Sequence, residues 1–553
     1  VIIQEAPAAV QARLRWALIG GWIIHLLVRL WLYRHHTGPV ANPDEVGYLV
    51  AARWLAGGAD ADYSGSTFYQ AGYALLLVPA YWLTSDPETV YRIVVLVGSA
   101  AAAGAFPLSY HVLRRLDVSG KPALVLAFVA SLGPSLLVFS GLALVDAVLP
   151  TVLLGWLLAV HDLLRTGSTR AGVVGGVLSG FAMTAHMRGT VVLAVFVLVT
   201  VRARRFVPLA VAGAVAAAGW LLNRALSAAL YPGGVRDLAG LLLSRITSLD
   251  GQAWAVSGAL GQLWYLIVAT WGLAGLGLAA GVSAAVRRGS PHRLTASALL
   301  VVTLGIAYAS SAALPDEHRV GNYAYGRYLA CVAVAWTLAG LVVLVRAGRR
   351  VPVRPAFWAV VLLAVSGGVA AFYAGDRLSR YSFILFDFPE VAFLSGSRDS
   401  LRMLPASLAA LALLAAITAA ASLVRRHRLH ALAAVLAAAN IAFLADIAPK
   451  SAPRAGRDWL PAISHGRVAV DRRVHWGIRV QLVHRVWWTE VELFDAASGH
   501  PPPGVCTLVV PPDVGPPPPG WFVADSHPPH WTTWSDASAC GAGSSGRISG
   551  EAL

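Results

Sequence analysis

Asn42-Pro43-Asp44-Glu45-Val46 follows closely on Trp16-Ala17-Leu18-Ile19-Gly20-Gly21-Trp22-Ile23-Ile24, the opening of an apolar segment that runs to Tyr33. Such a segment approaches the ~20 residues that cross a hydrocarbon core, so two adjacent carboxylates open the loop at its far end. Apolar runs and short polar gaps then alternate along most of the chain. Of 553 residues, 57% are hydrophobic and 13% charged. Soluble domains carry about 25% charged residues. That deficit and the mean hydropathy of +0.64 exclude a soluble globular protein. The formal charge of +15 does not indicate nucleic acid, because the arginines sit in gaps between apolar runs, where they orient spans.

The length rule predicts a polytopic α-helical membrane protein of about 13 transmembrane helices. They fall near 16–33, 89–113, 122–141, 147–164, 171–186, 190–201, 206–224, 258–286, 294–314, 327–345, 355–374, 405–424 and 431–447. Alternate gaps are basic: Arg13 and Arg15; Arg114, Arg115 and Lys121; Arg165 and Arg170; Arg202, Arg204 and Arg205; Arg287, Arg288 and Arg293; Arg346, Arg349, Arg350 and Arg354; Arg425, Arg426 and Arg428. The positive-inside rule makes these cytoplasmic. Most acids fall in the other gaps, among them Asp44, Glu45, Asp60, Asp62, Asp146, Asp237, Asp316, Asp387 and Glu390. An odd number of crossings places the N-terminus inside and the last hundred or so residues outside, in a plasma (inner) membrane, with no cleavable signal peptide expected. Arg29 and Arg92 read as side chains that snorkel to the interface.

The loop 34–88 is long enough to hold structure of its own. Asn42 is suited to cap a helix, Pro43 to its first position, and Asp44 and Glu45 to its first turn, with Glu45 placed as in a capping box. That helix should end at Gly57-Gly58. Tyr69 to Leu83 is short for a span and contains Gly72 and Pro79, so it reads as interfacial or partly re-entrant. Acids at a helix start also meet the positive end of its dipole, which gives Asp44-Glu45 a structural role beside any chemical one.

The order Asp44-Glu45, Tyr48, Arg53, Tyr69-Gln70-Ala71-Gly72-Tyr73, Pro79 and Arg92 resembles the GT-C superfamily of membrane glycosyltransferases. That superfamily includes protein O-mannosyltransferases, the lipid A aminoarabinose transferase and actinobacterial arabinofuranosyl- and mannosyltransferases, which use polyprenyl-phosphate sugars. Its first outer loop carries an Asp-Glu or related motif followed by juxtamembrane helices. Where relatives often have a Lys-Pro-Pro-Leu-like stretch, this chain has Gln70-Ala71-Gly72-Tyr73 and no lysine. Val145-Asp146-Ala147-Val148-Leu149 stands where the family has Thr-Asp-x-Leu-Leu. Gly180 to Gly189, with Thr184, His186, Met187 and Arg188, resembles a Gly-Leu-x-x-Leu-Thr-Lys-Gly stretch, and Tyr325-Gly326-Arg327-Tyr328 an Arg-Tyr pair that opens a later span.

The resemblance implies a GT-C-like fold and sugar transfer to an extracytoplasmic glycan, glycolipid or protein, for example arabinofuranosyl or mannosyl transfer in cell-wall assembly. Glycosyl transfer from a lipid phosphate passes through a transition state with oxocarbenium character and needs a base for the acceptor hydroxyl. Asp44 is the expected base, with Glu45 or Asp146 orienting hydroxyls and Tyr48, Gln70 and Tyr73 contacting substrate. The leaving phosphate calls for guanidinium forks, first Arg327 and then Arg188, with His186 and Tyr328 as neutral donors. No metal is then obligatory, although Asp44 and Glu45 have the chemistry to ligate a divalent cation. The alternative reading is a transporter or flippase of polyprenyl-linked glycans, but such proteins bury ionisable residues near the midplane in repeated halves. Here the acids lie at span ends.

The loop 231–264 resembles a mobile donor-covering loop and contains the amphipathic run Leu238 to Ile246. The loop 376–403 offers Phe383, Phe386 and Phe388 to a lipid groove or to headgroups. These features divide the chain into a membrane domain, 1–447, and a small extracytoplasmic cap, 448–553. In the cap, Trp476 to Val480 and Trp487 to Leu493 read as strands, and Cys506 and Cys540 are available for a disulfide. Its histidines are too scattered for a metal site.

Overall fold

The computed structural model describes residues 8–41, 43–348, 350–423, 427–449, 460–461, 463, 466–498, 500–536 and 538. Asn42, Arg349, Arg425, Arg426, Lys450, His465 and Cys540 lie outside them. Among the described residues eight helices are long and apolar enough to span a membrane, or up to nine if one bent pair is a single span. The chain is a multi-pass helical membrane protein. Among the described residues each segment expected to span contains a helix, but the expected count of 13 is not reached, because several helices are shorter than a full crossing, including Gly120–Ala130, Thr169–Ala185 and Arg188–Arg202.

Two expected spans are broken, each for a local reason. The run 122–141 stops at Ala130, because Gly133 is extended (ψ 152°) ahead of Pro134, as a residue before proline must be. The run 258–286 divides into Leu249–Ala269 and Leu273–Val286, bent by 118°. Trp271 (φ 56°) and Gly272 (φ 80°) make that corner in the left-handed region. Thr270 Oγ1 accepts from Ala274 N at 3.1 Å, and the Trp271 indole donates to Asn440 Oδ1 at 2.8 Å. Asn440 in turn donates to Val129 O at 2.9 Å, so the Trp271 indole, the Asn440 amide and that carbonyl form one buried chain of hydrogen bonds.

Arg29 does not snorkel. It is fully buried and donates to His25 O at 2.9 Å and Ser131 O at 3.0 Å. Ser131 caps the broken helix, so a span cation bonds a carbonyl at a truncated C-terminus, where the helix dipole favours positive charge.

The chain forms two compact units, one of Val1–Arg34, Val95–Asn223 and Asp237–Lys450, the other of His35–Val94, Arg224–Arg236 and Ser451–Leu553. The first outer loop and the C-terminal segment therefore fold together. Within that second unit Arg53 is buried and donates to Val483 O at 2.8 Å and Val486 O at 3.1 Å, while Gln481 donates to Pro39 O at 3.0 Å. The strands are β1 (Arg467–Asp471), β2 (Val491–Phe494), β3 (Val505–Val510), β4 (Trp521–His527) and β5 (Trp531–Asp536), in the order β2-β1-β3-β5-β4. β1 pairs in parallel with β2 and β3, and β5 runs antiparallel to β3 and β4.

Alternation along β1 sends Val468 and Val470 into one core with Ile478, Leu482 and Trp531, and Ala469 into another with Leu508 and Trp534. The segment expected as a strand from Trp476 is instead the helix Trp476–Arg485. Its Ile478 and Leu482 share the i, i+4 helical face, and His475 Nδ1 accepts from Gly477 N at 3.2 Å. Of Trp487–Leu493 only the end from Val491 joins the sheet. Cys506 is disulfide-bonded; Cys331 is a buried free thiol.

Candidate functional site

In the second unit the helix Asp44–Leu55 begins at Asp44, and Pro43 is its N-cap residue rather than its first helical residue. Asp44 is half-buried, and its Oδ1 accepts a hydrogen bond from the Tyr69 hydroxyl at 3.0 Å. That approach needs Gly47, because a Cβ there would meet the Tyr69 ring at 2.0 Å. Burial, and then the neighbouring Asp44 carboxylate, hold the Tyr69 hydroxyl well above its usual pKa, so it stays a donor. Glu45 is fully buried. Its Oε1 accepts from Val40 N and Ala41 N, both at 2.7 Å, and its Oε2 from the Tyr91 hydroxyl at 2.6 Å. Glu45 reaches back to the chain before the helix as a capping-box acid does, which fixes how the loop enters the helix.

Tyr48 is buried with its ring edge-on to Tyr69 at 5.4 Å and to Tyr73 at 5.0 Å. Tyr73 is fully buried, and Gln70 is the half-buried N-cap residue of Ala71–Leu83. Tyr48 thus packs between Tyr69 and Tyr73, and Gln70 is more accessible than Tyr48 or Tyr73. The partners Tyr69 and Tyr91 were not assigned roles from sequence. Their spacing from the acids carries no local signal, because both reach Asp44-Glu45 from other helices or turns.

In the first unit Asp146 lies in a single 3-10 turn, Val145–Ala147, and is buried. Its Oδ1 takes a salt bridge from Arg188 Nη2 at 2.8 Å and its Oδ2 one from Arg327 Nε at 3.5 Å, with all three side chains under a tenth exposed. Two guanidinium groups thus face one buried carboxylate. Arg188 opens the helix Arg188–Arg202, and its Nη1 also donates to Tyr328 O at 3.2 Å. The turn before it is tight, since a Cβ on Gly189 would sit 2.0 Å from the Ala182 backbone. His186 Nδ1 accepts from Arg188 N at 3.1 Å and Arg188 Nε at 3.2 Å. An imidazole that accepts at Nδ1 is neutral and carries its proton on Nε2, where it can donate.

Tyr328, half-buried, lies with its ring 5.0 Å from the Arg188 guanidinium. Tyr325 is flanked by two cations, Arg327 at 5.4 Å and Arg319 at 5.3 Å. Aromatic faces over guanidinium groups stabilise them by about 0.5–2 kcal/mol. Four of the residues singled out from sequence, Asp146, His186, Arg188 and Arg327, are therefore brought together, with Tyr328 alongside. Arg319 is a member that sequence reading missed. Its signal was its place six residues before Tyr325, in a segment read only as a loop.

The loop 376–403 contributes differently from expectation. Phe388 is fully buried and stacks on Phe383 at 5.5 Å, so it is core and not a headgroup contact. Glu390 is buried and accepts from the Tyr265 hydroxyl. Burial, partly offset by that bond, raises its carboxyl to about 7. In the loop 231–264, Leu238–Ile246 is the expected helix, with Asp237 accepting from Gly240 N at 2.8 Å. Arg245 packs over Trp254 at 4.3 Å.

No family model matches the chain, and no curated protein matches it. Among solved structures, the chain is similar to ArnT from Cupriavidus metallidurans bound to undecaprenyl phosphate. The TM-score is 0.54 and the identity 14%, covering 95% of this chain and 99% of that one. The apo state of ArnT gives a TM-score of 0.50 and 14% identity over the same shares. The arabinofuranosyltransferase AftD from mycobacteria gives 0.37 and 16%, covering 94% of this chain and 40% of that one, a likeness too loose to carry an argument. The chain has the GT-C-like fold of ArnT.

Proposed function

We propose that the protein is an integral-membrane glycosyltransferase that moves one sugar from a polyprenyl monophosphate to an extracytoplasmic glycan, glycolipid or protein, with inversion. The observation that carries this reading is the trio Asp146–Arg188–Arg327, two guanidinium groups gathered at one buried carboxylate. The fold of ArnT, which has been solved with undecaprenyl phosphate, supports a lipid phosphate as the matching anion.

The acceptor hydroxyl attacks the anomeric carbon, the bond from that carbon to the phosphate oxygen breaks, and the electron pair leaves on the lipid phosphate. The hydroxyl proton passes to Asp44. Of the two loop acids, Asp44 is the accessible one, and its Tyr69 bond holds one oxygen in place. Arg188 and Arg327 stabilise the charge that develops on the leaving phosphate, and His186 Nε2–H and the Tyr328 hydroxyl supply neutral donors. Asp146 acts through the arginines as a positioning residue, and Glu45 holds the helix that presents Asp44. With guanidinium groups in this role, no divalent cation is required. Transfer is expected to continue in EDTA, and loss of transfer there would make Asp44 and Glu45 candidate metal ligands.

The test is transfer by the purified protein from synthetic polyprenyl-phosphate sugars, with donor binding measured separately. Asp44→Asn should bind donor and fail to transfer, whereas Arg188→Gln and Arg327→Gln should lose donor binding. A chain that moves the lipid-linked sugar across a vesicle membrane without transferring it would be a flippase instead.

A further inference from the structure

The helical unit holds a second feature away from the arginine trio, a cavity of about 620 Å³. Its apolar wall includes Leu108, Leu158 and Val174, and its polar end Arg115, Asp162 and Arg170. The volume falls within the ~300–1,000 Å³ of small-molecule sites. At the polar end the helix Leu149–Thr166 turns through Gly167 into the helix Thr169–Ala185. The Arg205 guanidinium lies against Gly167, and Ser168 Oγ caps the new helix by accepting from Ala171 N at 3.2 Å.

Arg115 is held by Asp162 through Nε at 2.9 Å and Nη2 at 2.7 Å, so its Nη1 stands outside that fork. Arg170 and Arg205 are exposed. Three arginines and the positive end of a 17-residue helix thus meet one carboxylate at the mouth of an apolar groove. Val174, on the groove wall, is 47% exposed, and in a multi-pass protein the medium on such a helix face is acyl chain. A soluble anion would use the charge and leave the wall uncovered. A lipid covers both.

We infer that this groove binds an anionic phospholipid of the surrounding bilayer. The phosphodiester sits at Arg170, with Arg115 Nη1 and Arg205 beside it, and one acyl chain lies along Leu108, Leu158 and Val174. Basic pockets between spans on the cytoplasmic side take anionic headgroups in this way. The positive-inside rule assigns this end of the spans to the cytoplasm, the face away from the proposed transfer chemistry.

The test uses the whole chain in phosphatidylcholine nanodiscs with and without phosphatidylglycerol, reading lipid retained by native mass spectrometry and the thermal midpoint. Wild type is expected to retain phosphatidylglycerol over phosphatidylcholine and to gain several degrees from it. Arg170→Gln should cut that preference at least fivefold. Asp162→Asn, by releasing Arg115 from its carboxylate, should strengthen it, an effect of opposite sign that loss of a merely structural ion pair would not produce. Val174→Trp should exclude both lipids from the groove. Equal retention of the two lipids by wild type, or unchanged preference in both charge variants, would overturn the assignment.

Discussion

Asp44 and Asp146 are both aspartates expected on the outer face, yet their surroundings differ in kind. Asp44 is half-buried at a helix start, and its Oδ1 accepts from the Tyr69 phenol. Asp146 is buried between two guanidinium groups. An accessible carboxylate is placed where it can meet an acceptor hydroxyl. One locked into a buried double salt bridge lends its charge to its partners, and removing it leaves buried cations uncompensated. The contrast separates a candidate base from a candidate positioning residue, although the two are the same amino acid.

The contrast can be broken most sharply at Asp44. Asp44→Asn should lower turnover by about 10²–10⁴, the usual contribution of a general base, while the thermal midpoint and donor binding stay near wild type. Asp146→Asn should do the reverse in order of cause. It should destabilise the protein by about 3–5 kcal/mol, and any loss of transfer should accompany that loss of fold. If Asp44→Asn unfolded the protein and Asp146→Asn only slowed it, the two assignments would have to be exchanged. A smaller effect is expected at Tyr91→Phe, which removes a donor to the buried Glu45 and should cost about 1.5–3 kcal/mol in urea unfolding.

The two units should also respond to pH in opposite directions. Burial, and then Arg53 and Arg485, lower His484 from 6.5 to about 3. The unfolded chain binds that proton first, so the contribution is complete above pH 6.5 and is lost as pH falls toward 3. Glu390 is raised from 4.5 to about 7, so the folded state holds its proton longer. Its contribution is complete below pH 4.5 and is lost as pH rises through 7. Each slope approaches about 1.4 kcal/mol per pH unit. Hydrogen exchange followed over pH should show the loop-and-cap unit loosening in acid, a trend that His484→Gln removes, and the segment around Glu390 loosening above neutrality, a trend that Glu390→Gln removes.

Much of the fold was legible because bilayer crossing imposes a length and an apolarity that a sequence must display. The pattern of basic gaps, the short helix after Asp44, its end at Gly57 (φ 86°) and the helix Leu238–Ile246 all rest on such local rules. Spans failed where a local break lay inside an apolar run. Gly133-Pro134 was readable as a stop, whereas the Trp271 corner depends on a partner, Asn440, far along the chain. The helix Trp476–Arg485 was misread because five residues fit a period of two nearly as well as one of 3.6.

At the candidate site the sequence could nominate residue types but not their partners. It picked out Asp44, Asp146, Arg188 and Arg327 as charges at span ends, together with the class of protein that carries them. Only tertiary structure decided that Glu45 is fully engaged by backbone amides and Tyr91, that Arg29 is buried and not snorkelling, and that Arg188 and Arg327 share one carboxylate. The reason is physical. Helix length and apolarity are set residue by residue along the chain, whereas the state of a buried charge is set by the groups that long-range packing brings within about 4 Å of it.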